Sequence, residues 1–236
     1  MYYKIIENNK EKWIVLLHCI CANMHIFDED INKLSEKYNI LLIDLPGHGK
    51  SKEYKEEIDF RQVAFKITKI LAELNIEKIS IWGISLGGVV AKYLLELVPE
   101  KIDKIIFEGP AFGIDNKLYN LLFKIFNKTK CIFPRKLYLS AFILAVLPGR
   151  NRKNIRKIMY EQLKTAKYKT ISTWLTKLCE EFKLNNYIVL NNTSVDKKYI
   201  FGEEDYIFKN ATMKNIEKNK YNEIIVMKKA RTFMSS

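Results

Sequence analysis

Long apolar runs are missing from this sequence. The longest uncharged apolar stretch, Leu137 to Pro148, is about half the length that a helix needs to cross a bilayer, so a spanning segment is not expected. The first eight residues, Met1 to Asn8, turn polar before the apolar core of a secretory leader develops. Cysteine is scarce, and Cys19, Cys21, Cys131 and Cys179 are too few to staple a chain this long. The pair Cys19-x-Cys21 lacks the second ligand pair of a zinc site. A reduced, cytoplasmic, soluble protein without metal or organic cofactor is therefore expected. Arginine is scarce as well: six residues, against 34 lysines within a net charge of +13. Base readers lean on arginine forks. A lysine excess that travels with Ile and Asn is a drift of the whole chain, so no nucleic-acid partner is expected.

What is present is alternation. Trp13–Leu17 and Asn39–Asp44 are short continuous apolar runs, the mark of strands buried on both faces. Between them, Ile31, Leu34 and Tyr38 give Asp28–Tyr38 helical spacing. Asp59 is placed to cap a helix running to about Leu74. Lys78–Trp82 predicts a strand, Leu86–Val98 a helix closed by Pro99, and Lys104–Phe107 a further strand. From about Ile114 to Leu184 only helical periodicity appears, and strands return at Lys198–Phe201 and Ile224–Met227. With 236 residues and 48% hydrophobic content, this is one α/β domain. It has a mostly parallel central sheet with helices on both faces. Its core spans 1–110 and 190–236, and an inserted helical cap spans about 111–189.

One motif carries chemistry. Gly83-Ile84-Ser85-Leu86-Gly87-Gly88 fits G-x-S-x-G and falls between a strand and a helix. There the small neighbours permit a sharp turn that lifts the Ser85 hydroxyl clear of the backbone. The first amides of the following helix then face whatever the hydroxyl attacks. A glycine-rich turn that merely packs tightly would share the pattern. The run Gly49-Lys50-Ser51 is no phosphate loop, because the required glycine at position 44 is Asp44.

Four segments in this order resemble the α/β-hydrolase superfamily, of the single-domain kind with a helical cap. They are Leu16-Leu17-His18-Cys19-Ile20, Asp44-Leu45-Pro46-Gly47-His48-Gly49-Lys50-Ser51, Gly83–Gly88, and Phe201-Gly202-Glu203-Glu204-Asp205. The resemblance covers nearly the whole chain. It implies Ser85 as nucleophile, Asp205 as the acid that orients a histidine, and the Leu86 and Ile20 N–H groups as oxyanion hole. Cys19 stands where the family usually has glycine. Glu108, at the end of its strand, is the fallback acid.

Histidine is the shortage that matters most. A serine hydroxyl needs a base near neutral pH, yet His18, His25 and His48 all precede Ser85, whereas the family's order is serine, acid, histidine. By resemblance the base would fall near Thr232, which cannot serve, and a C-terminus cut short before the histidine and closing helix is the reading this favours. The expected function is acyl transfer to water from a small apolar carboxylic ester or related acyl compound, in a chain nearly inactive as it stands. The alternative is a non-catalytic ligand-binding protein on the same fold. In the cap, Leu118, Leu121, Leu122, Ile125 and Phe126 form one apolar helical face, and Phe142, Ile143, Val146 and Leu147 form another. Most of this is read as helix packing, with an acyl pocket as the sharper alternative. The basic stretch Arg150–Lys169 is read as a solvated face, with contact to an anionic membrane surface as the alternative.

Overall fold

The computed structural model describes residues 1–54, 56–115, 117–129, 137, 140, 141, 143, 156, 157, 159–161, 168–184 and 187–227. Among the described residues seven strands form one sheet: β1 Tyr3–Ile6, β2 Trp13–Leu17, β3 Asn39–Ile43, β4 Ile79–Ile84, β5 Ile102–Glu108, β6 Asp196–Gly202 and β7 Asn222–Met227. Their order is β1-β3-β2-β4-β5-β6-β7. Only β1 runs antiparallel, pairing with β3, and every other neighbour is parallel.

The helices bounded among the described residues are α1 Ile31–Ser35, α2 Phe60–Glu73, α3 Leu86–Leu97, α4 Lys117–Thr129, α5 Tyr168–Leu184, α6 Ile188–Asn191 and α7 Lys209–Asn215. The strand alternation explains the layers. Val15, Leu17, Ile81 and Phe107 face one apolar cluster that also holds Val63 and Ile67 of α2 and Val90 and Leu94 of α3. Ile14, Leu16 and Trp82 face a second cluster, in which Phe27 meets Trp82 edge-on at 5.3 Å. Covered on both faces, β3 is buried at every position, as an apolar parallel strand should be. Asp59 caps α2 as its sequence predicts, its carboxylate accepting the Arg61 and Gln62 N–H groups.

Three readings change. The helix expected over Asp28–Tyr38 shrinks to α1 behind a 3-10 turn, Met24–Phe27. None of its residues is fully buried, so no packed face extends it. Strand β4 runs two residues past Trp82, with Gly83 and Ile84 pairing with Phe107 and Glu108. Strand β1 arises in a segment read only as a polar start, because an edge strand with one neighbour needs little apolar content. Between 111 and 189 the regular elements among the described residues are helical. There Ile143 is buried, whereas Leu118, Leu121 and Ile125 are 62%, 54% and 46% exposed, against the expectation of ordinary packing. Phe142, Val146, Leu147, Cys131 and most of Arg150–Lys169 lie outside the described residues, as does the side chain of Phe126.

Candidate active site

The sheet reverses its winding between β2 and β4, and crevices form beyond the carboxyl ends of strands at such a point. Every sequence-predicted site residue stands on that edge: Ile20 after β2, Ser85 and Leu86 after β4, and Asp205 after β6. With Leu17 level with Gly83 across the β2–β4 pair, the loop carrying Ile20 begins beside the turn carrying Ser85.

Ser85 is the single residue between β4 and α3, and the turn is tight enough to force its backbone to φ 49°, ψ −104°. A left-handed, non-glycine residue of this kind costs about 1–3 kcal/mol and persists only where its surroundings hold it. Here they do. The Ser85 N–H donates to the Glu108 carbonyl at 2.9 Å, and the Ser85 carbonyl accepts from Gly88 at 3.0 Å and Ala111 at 3.3 Å. The flanking glycines are steric requirements. A Cβ on Gly83 would sit 2.6 Å from the Gly87 carbonyl oxygen, and one on Gly87 would sit 2.1 Å from that of Leu17. The result is a half-buried hydroxyl at the amino end of a twelve-residue helix, where the helix dipole favours negative charge.

Asp205 follows β6, two strands from β4, and one of its carboxylate oxygens lies beside Gly109 at the end of β5. Gly109 follows Glu108, donates its N–H to Ile200 at 2.8 Å, and has φ +47°. A Cβ there would stand 3.6 Å from Asp205 Oδ2. Asp205 Oδ1 meanwhile accepts the N–H groups of Ile207 at 3.2 Å and Phe208 at 3.0 Å. One carboxylate oxygen is therefore anchored and the other turned toward the strand end. The fallback acid, Glu108, is buried and accepts the Trp82 indole N–H at 3.0 Å.

Cys19 takes no glycine-only conformation; the left-handed residue of that loop is Cys21, at φ 62°. Burial pushes the Cys19 thiol up to about 12, with the Glu108 charge adding to the effect. Cys19 is thus a neutral packing residue.

All three histidines are committed elsewhere. His18 accepts the Leu45 N–H on Nε2 at 2.9 Å, which leaves Nδ1–H to donate to the Cys19 carbonyl at 2.8 Å. His48 repeats the device, accepting from Cys21 on Nε2 at 3.1 Å and donating from Nδ1 to Pro46 at 3.1 Å. Desolvation lowers His18 to about 4 and His48 to about 3, so both rings are neutral ties between the loops after β2 and β3. His25 is exposed beside Asp28. Position 232, where the resemblance would put a base, lies outside the described residues.

No local pattern in the sequence announces the seating of α5. Helix α5 is seated on the loop after β3, with Trp174 donating its indole N–H to Pro46 at 2.9 Å and Thr170 filling the space where Gly47 lacks a side chain. Farther along, Glu181 forms a buried ion pair with Lys92 of α3 and accepts the Tyr93 hydroxyl at 2.8 Å. Contacts this distant in sequence leave no local pattern. Among the described residues no group of His, Cys, Asp and Glu is arranged to hold a metal ion, and no helix is long and apolar enough to cross a membrane.

Comparison with known proteins agrees with this fold. The profile described as alpha/beta hydrolase fold matches residues 12–227. A pimeloyl-[acyl-carrier protein] methyl ester esterase of Wigglesworthia glossinidia brevipalpis is 30% identical over 216 residues, covering 87% of this chain and 79% of that protein. A human serine hydrolase-like protein is 31% identical over 113 residues, and there the match covers 46% of this chain and about half, 56%, of the relative. Among solved structures, MenH from S. aureus superposes with a TM-score of 0.78 at 22% identity over 96% of this chain and 89% of its own. An esterase from Exiguobacterium antarcticum gives 0.77 at 21% identity over 95% and 85%.

Proposed function

The chain belongs to the α/β-hydrolase fold family, and on that footing we propose that its site is built to hydrolyse carboxylic esters through Ser85. The observation that carries this is the Ser85 backbone, bent to φ 49° between a strand and a helix. A turn that only packed would not need a residue held in so unfavourable a conformation. In this reading the Ser85 hydroxyl attacks the ester carbonyl, and the Leu86 and Ile20 N–H groups stabilise the oxyanion. Asp205 is the acid that would orient a base. Residues of about 111–189 act as a cap whose α5 closes one side of the crevice. The substrate is a small apolar acyl ester, in line with the esterases among the relatives. Free thiols at Cys19 and Cys21 suit the reducing cytoplasm.

The same reading assigns this 236-residue chain little turnover, because no histidine follows Ser85 and the earlier three are bonded to other partners. Loss of the base in a serine hydrolase costs about six orders of magnitude. That commitment of every histidine also favours a second reading, a ligand-binding protein that keeps the fold. Fluorophosphonate labelling of the wild type, Ser85→Ala and Thr232→His separates them. We expect a silent wild type, a silent Ser85→Ala, and labelling at Ser85 gained by Thr232→His. Strong labelling of the wild type would sink the missing-base argument. Silence in all three, with folded protein, would leave the binding reading ahead.

A further inference from the structure

The opposite edge of the sheet carries a second feature that hydrolysis does not use. A cavity of about 300 Å³ opens at the amino ends of β5, β6 and β7, roughly 20 Å from Ser85 at the rise of a seven-residue strand. Four lysines line it, Lys104, Lys197, Lys198 and Lys220, together with Asp196, Glu223 and Tyr221. Four ammonium groups against two carboxylates leave two positive charges uncompensated. Lys198 is paired with Glu223 at 3.1 Å, and Lys104 lies level with Asp196 across the β5–β6 pair. Lys220 rests over the Tyr221 ring at 4.9 Å.

Lys197 is the unusual member. It is 2% exposed, yet its ammonium group makes no ion pair within 4 Å among the described residues. It donates instead to the carbonyls of Val195, at 2.5 Å, and Thr193, at 3.2 Å. Both carbonyls lie just before β6, so the side chain curls back to the edge where the cavity opens. Its Nζ is 5.9 Å from the Tyr221 ring. Desolvation lowers its pKa to about 8 against the opposing pull of Asp196, the mark of a buried cation without an adequate counter-charge. Burying an ammonium group in this way is unfavourable unless an anion answers it.

We propose that this cavity is a binding site for a phosphate dianion, free or carried by a small monoester, held by Lys197 at its base and by Lys104 and Lys220 at its rim. The two uncompensated charges match a dianion better than a carboxylate. The volume suits a small ligand and is at the lower end for ligand pockets. The assignment is independent of the hydrolase reading, since no residue of the Ser85 site contributes.

The test is calorimetric titration of the full chain with inorganic phosphate at low salt, beside sedimentation with vesicles of phosphatidylcholine containing phosphatidate. Saturable 1:1 binding of inorganic phosphate is expected, weakened by added NaCl as screening grows. Affinity should fall about fivefold in each of Lys104→Gln and Lys220→Gln, the scale of one partly exposed charge pair. It should be lost in Lys197→Met. The two rim variants alter exposed side chains, so they decide the matter even if Lys197→Met fails to fold. Absence of saturable phosphate binding overturns the proposal, as does unchanged affinity in the Lys104→Gln, Lys220→Gln double variant. Binding to phosphatidate vesicles without binding of free phosphate also overturns it, because that is the behaviour of a charged surface and not of a pocket.

Discussion

At Ser85 a backbone angle and a side chain make separate demands. The hydroxyl serves the chemistry proposed here, while φ 49° would suit glycine better. Ser85→Gly should therefore be more stable than Ser85→Ala by about 1 kcal/mol, since only the alanine variant keeps the Cβ in a left-handed turn. Urea melts of the two variants check this, and an alanine variant as stable as the glycine variant would show that the turn holds no strain. The candidate site was legible in the sequence because its residues sit in short local motifs. Ser85, Leu86 and Asp205 each follow a strand that its own apolar run announces, and Gly83 and Gly87 are small for reasons that two steric distances explain. The ties made by His18 and His48 leave no such local mark. Each ring binds a backbone group 27 residues away, and no spacing rule reaches that far.

Among the elements, α5 shows how the part between β5 and β6 is attached. Its Glu181 and the Lys92 of α3 are 2% and 3% exposed, so each charge depends on the other. Removing one partner leaves an uncompensated buried charge and costs about 3–5 kcal/mol, whereas replacing both with apolar residues of similar volume is often neutral. Glu181→Gln and Lys92→Met are each expected to destabilise strongly, and Lys92→Met with Glu181→Leu to recover most of the loss. Equilibrium unfolding of the three variants gives the coupling directly. A double variant as unstable as the sum of the single ones would mean that the pair is not coupled. The same scale explains which elements the sequence revealed. Helix α2 had both a cap in Asp59 and a buried stripe, so its limits were read to within a residue. Helix α1 had a spacing but no fully buried face, and it stops after five residues. Strand β4 was read too short because Gly83 looks like a breaker, when its lack of a side chain serves the Gly87 approach.

Over the whole molecule, excess positive charge and two neutral buried histidines act in the same direction as pH falls. The chain already carries +13 at pH 7, and each further proton adds to self-repulsion in the compact state. His18 and His48 are held near 4 and 3 when folded and return to about 6.5 when unfolded. Below pH 6.5 the unfolded chain therefore binds protons that the folded chain refuses, and stability falls with pH. The slope from each histidine approaches about 1.4 kcal/mol per pH unit. The loss from His18 levels off near pH 4 and that from His48 near pH 3, where the folded rings also protonate. Above pH 6.5 both rings are neutral in either state and contribute no pH dependence. His48→Gln keeps an acceptor for the Cys21 N–H and a donor for the Pro46 carbonyl, but it cannot titrate. Between pH 6.5 and 4 its stability should decline about one proton less steeply than that of the wild type, even if it starts lower at pH 8. Urea melts across that range provide the comparison, and parallel pH profiles would show that His48 is not held neutral in the folded state.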